Sequence, residues 1–233
     1  PTQSLKFVGA GFALDKLGNN PDALLFGAQS RLDSHWSKAV SSSVGAGIFS
    51  IRGKESLRTD ALPDVGRGNT RNAKGDLEAS FNPLYADASV TYTLERFTLY
   101  PGAFPVTASG DYLHNPAESV KNDGYSLGLT FGKSGKKGTW DLAYRWTELQ
   151  ADAWWEELPE SDFGALYETA PVGGKAGYAS GTNVRGHVAR FCYSPWNALT
   201  LSVCYSQTKL IDETPVGSNS QMHRLQVDAN WKF

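Results

Sequence analysis

The sequence predicts an all-β fold, an antiparallel transmembrane β-barrel with about ten strands in this chain. Three observations predict it. Apolar and polar residues alternate with period two in segment after segment, which marks strands with unlike environments on their two faces. The connections between these segments alternate between short and long, as in a barrel that gathers tight turns on one side and loops on the other. Finally, the chain is 40% hydrophobic yet has no apolar run approaching the length of a membrane-spanning helix, which excludes that class. Barrel strands escape that test, because only every second residue faces lipid.

Strands are expected at 4–14, 22–32, 38–51, 83–94 and 97–114. Five more are expected at 122–131, 139–153, 182–193, 198–211 and 221–233. Segments 4–14 and 38–51 are Gly-rich, and their Gly-Ala-Gly pieces at 9–11 and 45–47 read as small-residue packing. In 83–94 the apolar set Leu84, Ala86, Ala88, Val90, Tyr92 and Leu94 opposes Asp87, Ser89, Thr91 and Thr93. In 122–131 Tyr125, Leu127, Leu129 and Phe131 oppose Ser126, Gly128 and Thr130. Trp140, Leu142, Tyr144 and Trp146 oppose Asp141, Arg145 and Thr147. Leu199, Leu201, Val203 and Tyr205 oppose Thr200, Ser202, Cys204 and Ser206. The last segment alternates without a break, Leu225, Val227, Ala229, Trp231 and Phe233 against Gln226, Asp228, Asn230 and Lys232. Aromatic residues gather near segment ends, where interfacial girdles belong.

The short connections are 33–37, 95–96, 132–138 and 194–197, and the long ones 52–82, 115–121, 154–181 and 212–220. The connection 15–21 has middling length. Counted back from Phe233, every long connection falls on one side and every short one on the other. A soluble sandwich has no reason to sort its loops this way.

Several chemistries find no support. A net charge of −2 makes no basic field, so no nucleic-acid partner is expected. His35, His114, His187 and His223 are scattered, with His223 read at the lipid or interface side, and nothing places a His beside a Ser nucleophile or paired acids. No Cys/His spacing suggests zinc. The Gly132-Lys133-Ser134 piece lacks the earlier Gly of a phosphate loop, that position being Leu127, and reads as a turn. No enzyme activity, catalytic residue, metal or cofactor is expected. Cys192 and Cys204 flank a turn at 194–197 that would set Cys192 opposite Thr200 and Val188 opposite Cys204. That places the sulfurs too far apart to bridge, so free thiols are expected. The chain opens at Pro1 with neither initiator Met nor signal peptide, as expected of a piece of a longer precursor.

Ending a terminal strand on Phe233 resembles the closing strand of a bacterial outer-membrane barrel, whose last residue is part of the signal read by the barrel-insertion machinery. The C-terminal portion resembles a porin family of Gram-negative outer-membrane β-barrels. Carrying the resemblance are Phe104-Pro105-Val106 leading to Gly110-Asp111-Tyr112-Leu113-His114-Asn115, then 138–146 followed by Glu148 and Ala151-Asp152-Ala153. It continues in Ser161-Asp162-Phe163, Gly181-Thr182-Asn183 with Gly186-His187, and 225–233. It covers about residues 97–233, and residues 1–96 only in general style. The segment 159–181, with Tyr167, Pro171 and Gly173-Gly174-Lys175, is longer than the family's loop there.

The resemblance implies an outer-membrane porin, a passive diffusion channel for small polar solutes or ions, with its C-terminus on the periplasmic side. Barrels of the family have on the order of 16 strands, so residues 1–233 are expected to be one barrel domain lacking N-terminal strands. Its partners would be outer-membrane lipids, the solutes and the insertion machinery, with a homo-oligomer by likeness to other porins. The alternative is a structural or partner-binding barrel with a filled lumen, recognised through extracellular loops 52–82 and 154–181.

The polar faces should line the lumen, which names Arg31, Asp87, Asp111, Asp141, Arg145, Arg190, Arg224, Gln226, Asp228 and Lys232. Opposed Arg and Asp side chains would set a transverse field that orients solutes. The same charges could instead neutralise one another in cross-strand ladders that hold the barrel together. The lipid-facing girdle is read as Tyr125, Phe131, Trp140, Tyr144, Trp146, Trp231 and Phe233. Loop 52–82 carries Arg52, Lys54, Arg58, Arg67, Arg71 and Lys74 beside Glu55, Asp60, Asp64, Asp76 and Glu78. It is either a constriction folded inward or a solvated surface loop.

Overall fold

The computed structural model describes residues 2–15, 22–57, 66–167, 176–213 and 221–232. Phe233 and the loop residues Arg58, Asp60, Asp64, Pro171, Gly173, Gly174 and Lys175 lie outside them. Ten strands form one antiparallel sheet: β1 (Thr2–Asp15), β2 (Ala23–His35), β3 (Val40–Arg52), β4 (Leu84–Leu94) and β5 (Phe104–His114), then five more. These are β6 (Asp123–Gly132), β7 (Trp140–Leu149), β10 (Val184–Trp196), β11 (Leu199–Leu210) and β12 (Met222–Trp231). A small hairpin of β8 (Gly164–Tyr167) and β9 (Gly177–Ser180) interrupts the run. Every strand of the large sheet pairs with its neighbours in chain order, an up-and-down meander. The sheet is not closed, and β1 and β12 are its two edges.

Each of the ten expected strands corresponds to one of these. Three differences have physical causes. The segment expected as a strand from residue 97 begins pairing only at Phe104. Pro101 offers no N–H, and Gly102 sits at φ 89°, so residues 95–103 turn back instead of continuing a ladder. The expected two-residue turn is therefore a longer connection, pinned by stacking of Phe97 on Phe104 at 4.3 Å. Strand β7 stops at Leu149, and 150–153 turn away as Asp152 N–H donates to Lys121 O at 2.7 Å. The hairpin β8–β9 inside 154–181 was not expected, because four-residue strands are too short for their alternation to register.

The register assigns the two faces. Asp87 lies opposite Asp111, Asp111 opposite Ser126, and Ser126 opposite Thr147. Arg145 lies opposite Val188, which lies opposite Ser206, and Ser206 opposite Arg224. Because side chains alternate strictly, these residues share one face. The other face carries Leu84, Val90, Leu127, Leu129, Leu142, Phe191, Val203, Leu225 and Val227, all exposed. Val8 and Phe12 on β1 are apolar exceptions on the charged side.

The buried core lies on the charged face at the end where the long connections emerge. One cluster joins Ala23, Leu25 and Ile51 to Leu57, Leu77, Ala79, Phe81 and Trp155. A second joins Phe163, Ala165 and Tyr167 to Val184 and Leu210. Trp154 packs on Phe49 of β3 at 5.3 Å, while Asp162 pairs with Arg224 of β12 at 2.7 Å. In a flat sheet β3 and β12 would stand about 34 Å apart at the usual strand spacing. Eight residues reach at most about 27 Å when fully extended, and 154–162 run mostly through turns. The sheet is therefore curled around this segment.

Candidate functional site

The charged face is organised as a chain of hydrogen-bonded ions. On the N-terminal strands, Lys6 donates to Asp33 at 2.7 Å, Ser43 Oγ donates to Asp33 at 2.7 Å, and Arg31 donates to Ser43 at 2.8 Å. Arg31 then reaches over β3 to Asp87 at 2.8 Å. The crossing is possible because residue 45 is Gly: a Cβ there would lie 2.4 Å from Asp87 Oδ1 and 3.0 Å from Arg31 Nη2. The second Gly-Ala-Gly piece thus makes room for an ion pair, which is more specific than small-residue packing.

Asp87 and Asp111 face each other directly, an arrangement that like charges disfavour. Each is relieved from its far side, Asp87 by Arg31 and Asp111 by the hydroxyl of Ser126. Across the sheet, Asp141 accepts from Ser134 N–H at 3.0 Å and from Arg190 at 3.4 Å. Asp228 accepts from Gln226 at 3.1 Å and from Ser202 at 3.5 Å.

The segment that follows β7 completes this face. Glu160 pairs with Arg145, Asp162 pairs with Arg224, and the Arg145 guanidinium lies 6.0 Å from the centre of the Phe163 ring. The backbone carbonyl of Gly164 accepts the Thr208 hydroxyl, holding β8 against β11. Two cavities flank the segment, of about 400 Å3 and about 340 Å3. Asp111, Ser126, Arg145 and Glu160 line both, so the two cavities adjoin at the Arg145–Glu160 pair.

A polar clasp fixes the start of the segment. Glu156, fully buried at its side chain, accepts backbone N–H bonds from Gly66 at 2.9 Å, Arg67 at 2.7 Å and Asn69 at 3.0 Å, and pairs with Arg71. Asn69 answers by accepting Glu156 N–H at 2.9 Å and donating to Trp154 O at 2.8 Å. Next to it, Asp152 accepts the Thr70 N–H at 2.8 Å and the Thr70 hydroxyl at 2.5 Å. Burial pushes the Asp152 carboxyl above its ordinary range; the Thr70 bonds oppose the shift and the nearby Glu118 charge adds to it. Described residues 66–82 therefore pack onto the charged face together with 151–163.

Nine of the ten residues expected to line a lumen, Arg31, Asp87, Asp111, Asp141, Arg145, Arg190, Arg224, Gln226 and Asp228, lie on this single face. Lys232 follows the end of β12 and carries on its pairing, donating its N–H to Ala198 O at 2.7 Å. The expected girdle residues Tyr125, Phe131, Trp140, Tyr144, Trp146 and Trp231 lie on the opposite face. Lys6, Asp33 and Ser43 were missed, although the alternation of β1 to β3 carries them. Glu160, Asp162 and Glu156 sit in an aperiodic loop, where no sequence pattern points to them.

Cys192 lies opposite Ser202, and Cys204 opposite Arg190, a register two residues away from the one expected. Strand β10 runs to Trp196 with an irregularity after Tyr193, so the turn falls later than 194–197. Both thiols are free. His223 lies on the apolar face and bonds the Tyr205 hydroxyl at 2.7 Å. Among the described residues no group of three His, Cys, Asp or Glu is arranged to hold a metal ion.

No family model matches this chain, and no curated protein matches it.

Proposed function

We propose that the chain is an outer-membrane β-barrel channel for small polar solutes or ions, of the porin kind that its C-terminal portion resembles. The observation that carries this reading is the inverted distribution of polarity on the sheet. Large apolar side chains stand uncovered on one face, Leu127 at 62%, Leu225 at 68% and Val227 at 70% exposure, while ions crowd the other. In water, that many bare apolar side chains on one sheet face would be an aggregation hazard, whereas in lipid they are the proper covering. Aromatic residues support it further. Phe131, Trp140 and Trp231 lie toward the short-turn end, and Tyr125 and Trp146 toward the long-loop end, with mostly Leu and Val and the mid-strand Tyr144 between them.

A membrane-embedded sheet leaves no edge unpaired. Under this reading β1 and β12 pair with each other or with further strands of a larger barrel, and the C-terminus lies on the periplasmic side. The charged face then lines the lumen. Lys6, Arg31, Arg145, Arg190, Arg224 and Lys232 share it with Asp33, Asp87, Asp111, Asp141, Asp228, Glu160 and Asp162, so among these described residues carboxylates outnumber cations by one. A modest cation preference follows.

Purified protein reconstituted in planar bilayers should give stepwise conductance. Repeated reconstitution without steps would overturn the channel. The covering of the charged face by 151–167 favours one second reading, a filled structural or partner-binding barrel. That barrel would show heat-modifiable mobility in detergent gels and no conductance.

A further inference from the structure

At the long-loop end, the apolar face carries a cationic pocket, on the side of the sheet away from the charged face. It lies across β7, β10 and β11 beside the start of β12, has a volume of about 380 Å3, and is lined by Trp146, Arg185, His187, Gln207, Lys209 and Gln221. Arg185 and Lys209 lie directly opposite each other on β10 and β11. Two like charges at such a position cost stability unless something offsets them. Glu148, directly opposite Arg185 on β7, offsets one of them through a pair at 4.0 Å, whereas Lys209 has no ion pair or side-chain hydrogen bond among the described residues. The remaining polar groups are held in place by neighbours. Gln207 is tied to Gln221, and the Nδ1 atom of His187 to the Tyr144 hydroxyl at 2.7 Å.

The chemistry changes in order down the strands. On β11 the sequence from the pocket along this face is Lys209, Gln207, Tyr205, Val203 and Leu201, and on β10 it is Arg185, His187, Ala189 and Phe191. Cations come first, then hydrogen-bonding aromatics and amides, then hydrocarbon. Resting on the membrane reading above, we propose that this pocket binds the phosphate-bearing headgroup of an anionic membrane lipid, whose acyl chains lie along Val203, Leu201 and Phe191. A guanidinium and an ammonium facing one cavity supply charge-assisted bonds to a phosphate. The uncovered apolar strip below them is what distinguishes a lipid site from a site for a free anion.

The full chain in dodecyl maltoside micelles, examined by native mass spectrometry, tests this with phosphatidic acid, phosphatidylcholine and inorganic phosphate as probes. Wild-type protein should retain phosphatidic acid saturably and phosphatidylcholine much less. Binding should weaken as NaCl rises. The double variant Arg185→Gln, Lys209→Gln should lose affinity by about tenfold or more, from the loss of charge-assisted hydrogen bonds. Lys209→Gln alone should lose part of it. Equal retention of both lipids, or unchanged binding in the double variant, overturns the proposal. Displacement by inorganic phosphate at equal concentration would make this a free-anion site and overturns the lipid assignment. Planar-bilayer conductance of the same double variant separates the two readings. Conductance kept with lipid binding lost supports the site, whereas a wild-type protein that binds the lipid yet never conducts counts against the channel alone.

Discussion

Gly45→Ala should destabilise this protein, although Ala in a strand interior is ordinarily the better residue by about 0.5–1 kcal/mol. The backbone at Gly45 is not in the left-handed region, so the new side chain brings no backbone strain. The cost comes from its methyl, which would stand 2.4 Å from Asp87 Oδ1 and 3.0 Å from Arg31 Nη2. The Arg31 side chain is long and can shift, but Asp87 is short and must rotate out of the pair. Side-chain exposures of 32% and 14% make this a half-buried, charge-assisted bond. Its worth, discounted for solvent screening, is about 1–2 kcal/mol. The net loss after the ordinary Ala gain then reaches at most about 1.5 kcal/mol. Urea unfolding of the protein folded in detergent micelles, followed by tryptophan fluorescence, measures it. In an Asp87→Ala background the clash is gone, and Gly45→Ala should become neutral or stabilising. A stabilising effect in the wild-type background, or the same cost in both backgrounds, would refute the reasoning.

Glu156→Gln should free the segment 151–163, because it leaves Arg71 and three backbone donors around a neutral group, a loss of about 3 kcal/mol. Brief chymotrypsin treatment of the folded protein should then cut beside Trp154 and Trp155, and resistance equal to wild type would count against the clasp. Asp152 binds its proton more tightly folded than unfolded, so its contribution falls as pH rises from the ordinary carboxylate range through its raised value, and the loss is complete above that. Asp152→Asn keeps acceptor and donor atoms for Thr70, and thermal unfolding across pH should show that slope flattened. Glu160→Gln with Asp162→Asn removes the carboxylate excess and uncovers Arg145 and Arg224, so reversal potentials in a KCl gradient should move toward anion selectivity.

The sheet was legible because burial on two unlike faces writes itself into every strand with period two. Asp87, Asp111, Arg145 and Arg224 could be placed on a common face from alternation alone, since a one-residue slip would have put each of them among Leu and Val. What alternation does not encode is which ions meet. The partner of Arg31 is two strands away and is reached only over Gly45. The partners of Arg145 and Arg224 come from a turn-rich segment whose position depends on Glu156 meeting Gly66, Arg67 and Asn69, contacts separated by up to 90 residues. Residues 97–103 were misread for a local reason: Phe97, Leu99 and Pro101 look like an apolar stripe, but a Pro followed by Gly breaks a ladder.

The clasp at Glu156 also sets a schedule. Each strand of the large sheet can pair as soon as its predecessor is in place, so the sheet can grow one hairpin at a time from short-range encounters. The clasp cannot, because it joins residues 66–71 to Glu156 and, through Arg67 O, to Thr182, on opposite sides of β4 to β7. Those four strands must be laid down before the covering segment has anything to seize. During assembly the charged face is thus a wide, wet trough that any small solute can enter. It is covered only when the chain between β7 and β10 folds back and its carboxylates meet Arg145 and Arg224.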